Sequence, residues 1–156
     1  MMKSLVNKSI LIFCVVLLAS CDKDRFTTEP QIKFLSLNPN SWNSDNTSLI
    51  GPKLRFQLTD REGDLGWRAD APSYVYIRLS RDTTEPYDSL RFPSMQLADP
   101  KNLNAEVEID ITEALPPPHF PRDYMDTLYF DVYVKDRANH SSNIIRTPEP
   151  FFYYTP

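Results

Sequence analysis

The chain has 156 residues, a formal net charge of -4 and 14 prolines against 3 glycines. At this length one domain is the default, and an acidic balance with no basic run beyond the first residues argues against nucleic-acid binding. Prolines at this density interrupt helices and suit strands joined by stiff turns. In chain order, the first element is an export segment. Lys3 and Lys8 give it a positive start, and Ile10 to Ala19 is an unbroken apolar run. Such a run matches the core of a signal peptide and falls short of the ~20 residues a membrane-spanning helix needs.

Leu18-Ala19-Ser20-Cys21 closes that segment and resembles the lipobox of bacterial lipoproteins. The resemblance implies cleavage after Ser20, with lipid on the sulfur and on the new amino group of Cys21. One acyl chain gives only marginal membrane binding, so a stable anchor needs two or more. Removal of residues 1–20 takes away Lys3 and Lys8 and makes the chain more acidic. Cys14 leaves with them, and Cys21 remains as the sole cysteine. With lipid on its sulfur, no disulfide, cysteine nucleophile or thiolate metal site is open to the mature chain. Asp22-Lys23-Asp24-Arg25 resembles the lysine-plus-acid signal that follows the lipidated cysteine in lipoproteins of the Bacteroidetes group. That resemblance implies an outer-membrane protein facing the cell surface, although Arg25 stands where a second acid is commoner. Residues 21–30 lack apolar periodicity and read as a flexible tether.

Residues 31–156 read as the folded domain. Strand-like stretches cover 32–37, 52–60, 74–79, 88–92, 105–111, 127–135 and 142–146. Period-two alternation is clearest where Leu54, Phe56 and Leu58, then Val107, Ile109 and Ile111, then Leu128, Phe130, Val132 and Val134 alternate with other side chains. Alternation of this kind marks sheets with one face in water. About seven such strands predict an all-β fold, an immunoglobulin-like antiparallel β-sandwich. The proline run from Pro116 to Pro121 is expected to be a rigid crossover between the fifth and sixth strands. Phe151 to Tyr154 reads as an additional edge strand or a tail.

Two loops carry the candidate chemistry. Asp60-Arg61-Glu62-Gly63-Asp64-Leu65-Gly66 ends the second strand, and Asp136-Arg137-Ala138-Asn139-His140-Ser141-Ser142-Asn143 ends the sixth. In a sandwich of this kind both loops leave the same end, so Asp60, Glu62, Asp64 and Asp136 are expected to converge. Clustered carboxylates repel one another unless a cation sits among them. Calcium, which takes six to eight oxygen ligands, is the candidate. The other reading is structural: each Asp bonds its own turn, and Arg61 and Arg137 neutralise the charge. The loop at Asp60, with its lead-in from Phe56, resembles the acidic loop of a recurrent Bacteroidetes lipoprotein family. The loop at Asp136 is similar to the Asp-Arg-Ala-Gly-Asn-x-Ser-Asn loop of the same and related bacterial sandwich domains. Asn139 stands where glycine is usual, and Asn tolerates a left-handed conformation better than most residues.

No catalytic constellation is legible. His119 lies in the proline run and His140 in a turn, neither near a nucleophile signature, and no phosphate or dinucleotide loop is present. The surface offers a different activity. Tyr74 and Tyr76 alternate with inward Val75 and Ile77, and Tyr129 and Tyr133 alternate with inward Phe130 and Val132. Outward tyrosines are typical interface anchors, though cross-strand pairing alone also explains them. With Phe151, Phe152, Tyr153 and Tyr154 as a strand offered to a partner's edge or covering the domain's own edge, they point to a non-enzymatic accessory lipoprotein. Its expected partners are an outer-membrane barrel or transporter complex and companion lipoproteins. The alternative is a carbohydrate-binding or adhesive module in which Trp42 or Trp67 stacks on sugars. Mass spectrometry of the purified native protein is expected to show an amino-terminal Cys21 carrying acyl chains; an unlipidated terminus would exclude the anchor.

Overall fold

A computed structural model describes residues 26–46, 51–66, 72–94 and 101–156. The export segment, Cys21 and Trp67 lie outside the described residues. The strands in chain order are β1 (Gln31–Asn38), β2 (Ser41–Asn43), β3 (Lys53–Asp60), β4 (Tyr74–Leu79), β5 (Asp88–Arg91), β6 (Leu103–Asp110), β7 (Tyr124–Leu128), β8 (Phe130–Lys135), β9 (Ile145–Arg146) and β10 (Phe151–Thr155). The helical content among the described residues is one 3-10 turn at Thr112–Ala114.

Alternation builds the first layer. In β3, Leu54, Phe56 and Leu58 are wholly buried while Arg55 is exposed. In β6, Val107 and Ile109 are buried while Glu106, Glu108 and Asp110 are exposed. β3 lies between β1 and β6, antiparallel to both, with a bulge in β1 between Phe34 and Ser36.

The second layer consists of two hydrogen-bonded sheets that share a chain run. One has the order β5-β4-β8-β9 and the other β2-β10-β7. β7 and β8 are separated by Tyr129 alone, so one stretch of chain serves both sheets. Leu128, Phe130, Val132 and Val134 all turn into the core along it. Every pairing among these strands is antiparallel except that of β2 with β10, which is parallel. The two layers close on Phe56, Leu58, Ile77, Val107, Ile109, Phe130 and Val132, all buried. This is an all-β sandwich.

Among the described residues, ten strands replace the seven expected. The expected sixth strand divides at Tyr129, and β2 is an addition. Two expectations are corrected. The segment 151–154 is neither a tail nor an edge: β10 is the middle strand of its sheet, between β2 and β7. Residues 26–30, expected to belong to a flexible tether, are packed against the domain. Pro30 is buried, and Arg61 donates its backbone N–H to the Thr27 carbonyl and its Nε to the Phe26 carbonyl.

Phe130 has no exposed surface and meets Phe151 edge-to-face, with ring centroids 5.8 Å apart. Phe130→Ala is expected to lower the unfolding free energy by about 3–5 kcal/mol in chemical denaturation, because the cavity adds to the lost transfer energy.

Candidate functional site

The loop after β3 is shaped by its two glycines, Gly63 at φ 66° and Gly66 at φ 109°, a region that other residues rarely adopt. The loop after β8 turns through Asn139 at φ 70°, the left-handed conformation its sequence allows. That turn is held by Asp136, which accepts the His140 backbone N–H at Oδ1 and faces His140 Nδ1 at Oδ2, both at 2.7 Å. Ser142 completes it: the Val134 N–H donates to the Ser142 hydroxyl, and the Ser142 N–H donates to the Val134 carbonyl. Arg137 joins the two loops by donating its backbone N–H and its Nε to the Asp64 carbonyl.

The result is a compact acidic cluster. Asp60, Asp64 and Asp136 each bring a carboxylate oxygen to within 4.8 Å of the others. Asp60 is fully buried and Asp136 nearly so. Asp60 Oδ2 accepts the Gly63 N–H, but Asp60 Oδ1 and Asp64 Oδ1 are buried without a hydrogen-bond partner. Burial first, and then repulsion from Asp64, Glu62 and Asp136, push the Asp60 carboxyl up to about 6 against the opposing Gly63 hydrogen bond. Burial and the neighbouring Asp136 also push Asp64 upward, with Arg137 opposing. Glu62, expected as a fourth member, is instead exposed and accepts a hydrogen bond from the Thr28 hydroxyl.

His140 and Asp136 have the geometry of the imidazole–carboxylate half of a hydrolase triad. The hydrogen bond to Asp136 raises the His140 pKa. Among the described residues, no serine or threonine hydroxyl is hydrogen-bonded to this imidazole. His119, the other histidine, stacks on Tyr124 with ring centroids 4.0 Å apart.

The second candidate is the outer face of the β5-β4-β8-β9 sheet. Tyr76 pairs with Tyr133 across the strands, and their rings stack at 4.7 Å and 7°. Tyr87 meets Tyr133 edge-on at 4.8 Å, and Tyr74 lies 6.5 Å from Tyr76. Cations surround the rings. Lys135 Nζ lies 5.5 Å from the Tyr76 centroid and the Arg78 guanidinium 4.3 Å from that of Tyr87. Directly paired residues share a face of the sheet, so the pairings Tyr74 with Arg91 and Asp131 with Arg146 place both arginines on this one. Strand residues on this face thus set Arg78, Arg91, Lys135 and Arg146 against the single carboxylate of Asp131. The outer face of β3 and β6 is different: Lys53 pairs with Asp110 at 2.8 Å and Arg55 lies between Glu106 and Glu108, so two cations meet three carboxylates there.

No protein-family model, curated protein or solved structure matches the chain. Its residues must therefore be read from their own surroundings. Tyr74, Tyr76 and Tyr133 are half-buried on the cationic face, and Tyr129 is exposed at the junction of the two sheets. Phe151 and Tyr153, expected to face a partner, are instead core residues, because alternation along β10 turns them inward. Phe152 is exposed, and Tyr154 is half-buried with its hydroxyl donating to Asp123. Trp42 is buried in β2, which removes it as a sugar-stacking platform. Sequence reasoning missed Tyr87 and the four cations; the period of β4 and β8 that found the tyrosines also places Arg78 and Lys135 on the same face.

Asp131 anchors the cationic face. Burial pushes its carboxyl upward, but hydrogen bonds from Arg146 and Ser80, and the charges of Arg146 and Arg78, outweigh this and hold it below the ordinary carboxylate range. A depressed folded-state pKa gives stability that is present above the unfolded pKa of about 3.9 and is lost as pH falls through the folded value. Asp131→Asn is therefore expected to cost about 1–3 kcal/mol at neutral pH. In urea unfolding the gap between variant and wild type should close as the pH drops below about 4.

Proposed function

We propose that this chain is a non-enzymatic accessory lipoprotein. In this reading Cys21 holds it to the outer membrane, and an immunoglobulin-like sandwich binds a partner protein there. Support for the anchor comes from Leu18-Ala19-Ser20-Cys21 and Lys23-Asp24. The strand order is compatible with immunoglobulin-like connectivity, with the parallel β2 beside the last strand.

The observation that carries the binding role is the tyrosine array of β4 and β8 among Arg78, Arg91, Lys135 and Arg146. Tyrosine and arginine dominate the energetics of protein interfaces, because they offer large rigid contact area and directed polar groups. The chain as a whole is acidic, so a cationic face sets one side apart. The occupant it suits is an acidic protein surface, on a barrel, a transporter or a companion lipoprotein. A tether favours such an encounter by raising the local concentration of a partner in the same membrane. The carbohydrate-binding alternative draws less support, because the Tyr76 and Tyr133 rings cover one another's faces and Trp42 is buried.

A pull-down in mild detergent, through a carboxy-terminal tag, is expected to recover a stoichiometric membrane partner. Charge reversal by Lys135→Glu together with Arg91→Glu should abolish recovery while leaving the melting temperature within a few degrees. Retention of the partner by that variant would move the interface elsewhere. Absence of any partner, with glycan-array binding, would favour the sugar-binding module.

A further inference from the structure

We propose that Asp60, Asp64 and Asp136 bind one calcium ion between the loops that follow β3 and β8. This site is independent of the protein-binding face. Three observations carry it. The first is spacing. Oxygens of the three carboxylates lie within 4.8 Å of one another. Ligands on opposite sides of a single calcium ion are about 4.6–5.2 Å apart, so one ion reaches all three.

The second is the state of Asp60. Its side chain has no exposed surface, and its Oδ1 lacks any hydrogen-bond partner. A carboxylate bonding only its own turn would satisfy its oxygens there. Asp60 does so with one oxygen, to the Gly63 N–H, and leaves the other for a ligand. Asp64 Oδ1 is buried and unpartnered in the same way. An orphaned buried acceptor loses its hydration without compensation, and a bound cation supplies that compensation.

The third is the chemistry of the donors. All three are hard oxygen ligands, and zinc favours nitrogen and sulfur. His140 Nδ1 faces the Asp136 carboxylate and so orients that ligand. Magnesium releases its water reluctantly and requires near-ideal octahedral geometry, which a buried carboxylate cluster does not favour. Calcium accepts irregular sets of six to eight oxygens, which main-chain carbonyls and water can complete.

The test is thermal unfolding of the full chain in detergent, in chelator, in millimolar magnesium and in millimolar calcium. At about a hundred times the dissociation constant, calcium is expected to raise the melting temperature by roughly 5–10 °C. Magnesium should not reproduce the rise. Asp60→Asn removes a buried, uncompensated charge, so it should melt higher than wild type in chelator and gain nothing from calcium. Asp64→Asn should likewise lose the calcium response. An identical wild-type melting curve in chelator and calcium would overturn the proposal, whatever the variants do. A calcium response that survives in both variants, or an equal response to magnesium, would overturn it as well.

Discussion

The junction at Phe130 holds the second layer together. The chain run that supplies β7 and β8 changes sheets at Tyr129, and such a change leaves backbone groups without a strand partner. Thr147 supplies both missing bonds. Its hydroxyl accepts the Phe130 N–H at 3.0 Å, and its own N–H donates to the Phe130 carbonyl at 2.9 Å. Thr147 is buried, so neither bond competes with water. The Phe130 ring then packs on Phe151, the first residue of β10. Two small sheets, of four and three strands, thereby act as one layer against β1, β3 and β6.

That frame fixes where charge can be placed. β3 and β8 end on the same side of the sandwich, and each ends in an aspartate at or next to its last residue, Asp60 and Asp136. Both are buried because the strands behind them are. Burying acids so close together opposes folding unless their charge is compensated. On the outer face of the β5-β4-β8-β9 sheet the strand residues carry more cations than acids, and Asp131 ties Arg146 and Ser80 together. The domain therefore separates charge by location, with anions at a buried loop end and cations on an open face.

Local pattern made much of this legible. Alternation in 52–60, 105–111 and 127–135 assigns the inward residues of β3, β6 and β8, because a half-buried strand imposes a period of two on its own sequence. The convergence of Asp60, Asp64 and Asp136 followed from loop connectivity alone. What stayed hidden depends on long-range pairing or loop geometry. β2 has only three residues, set among polar neighbours, and exists because it lies beside β10. The sequence of β10 reads as an aromatic tail, since nothing local reveals that β2 and β7 flank it. Glu62 leaves the cluster because Gly63, at positive φ, turns the chain between the two aspartates that stay. The cationic face was missed because its members come from β4, β5, β8 and β9, and only the register brings them side by side.

Asn143 lies beyond the acidic turn and grips the opposite layer. Its Oδ1 accepts the Ile32 N–H at 2.8 Å, and its Nδ2 donates to the Ile32 carbonyl at 2.9 Å, as a neighbouring strand's backbone would. Ile32 is the second residue of β1, an edge strand hydrogen-bonded to β3 alone within its sheet. Under the proposed lipid anchor, a mechanical pull would reach this end of β1 after the packed stretch 26–30. An edge strand loaded at one end tends to peel away bond by bond. The Asn143 clamp routes part of that load across to the β8 side at the first buried residue of the strand. Tension at this end of β1 would then have to shear two layers at once.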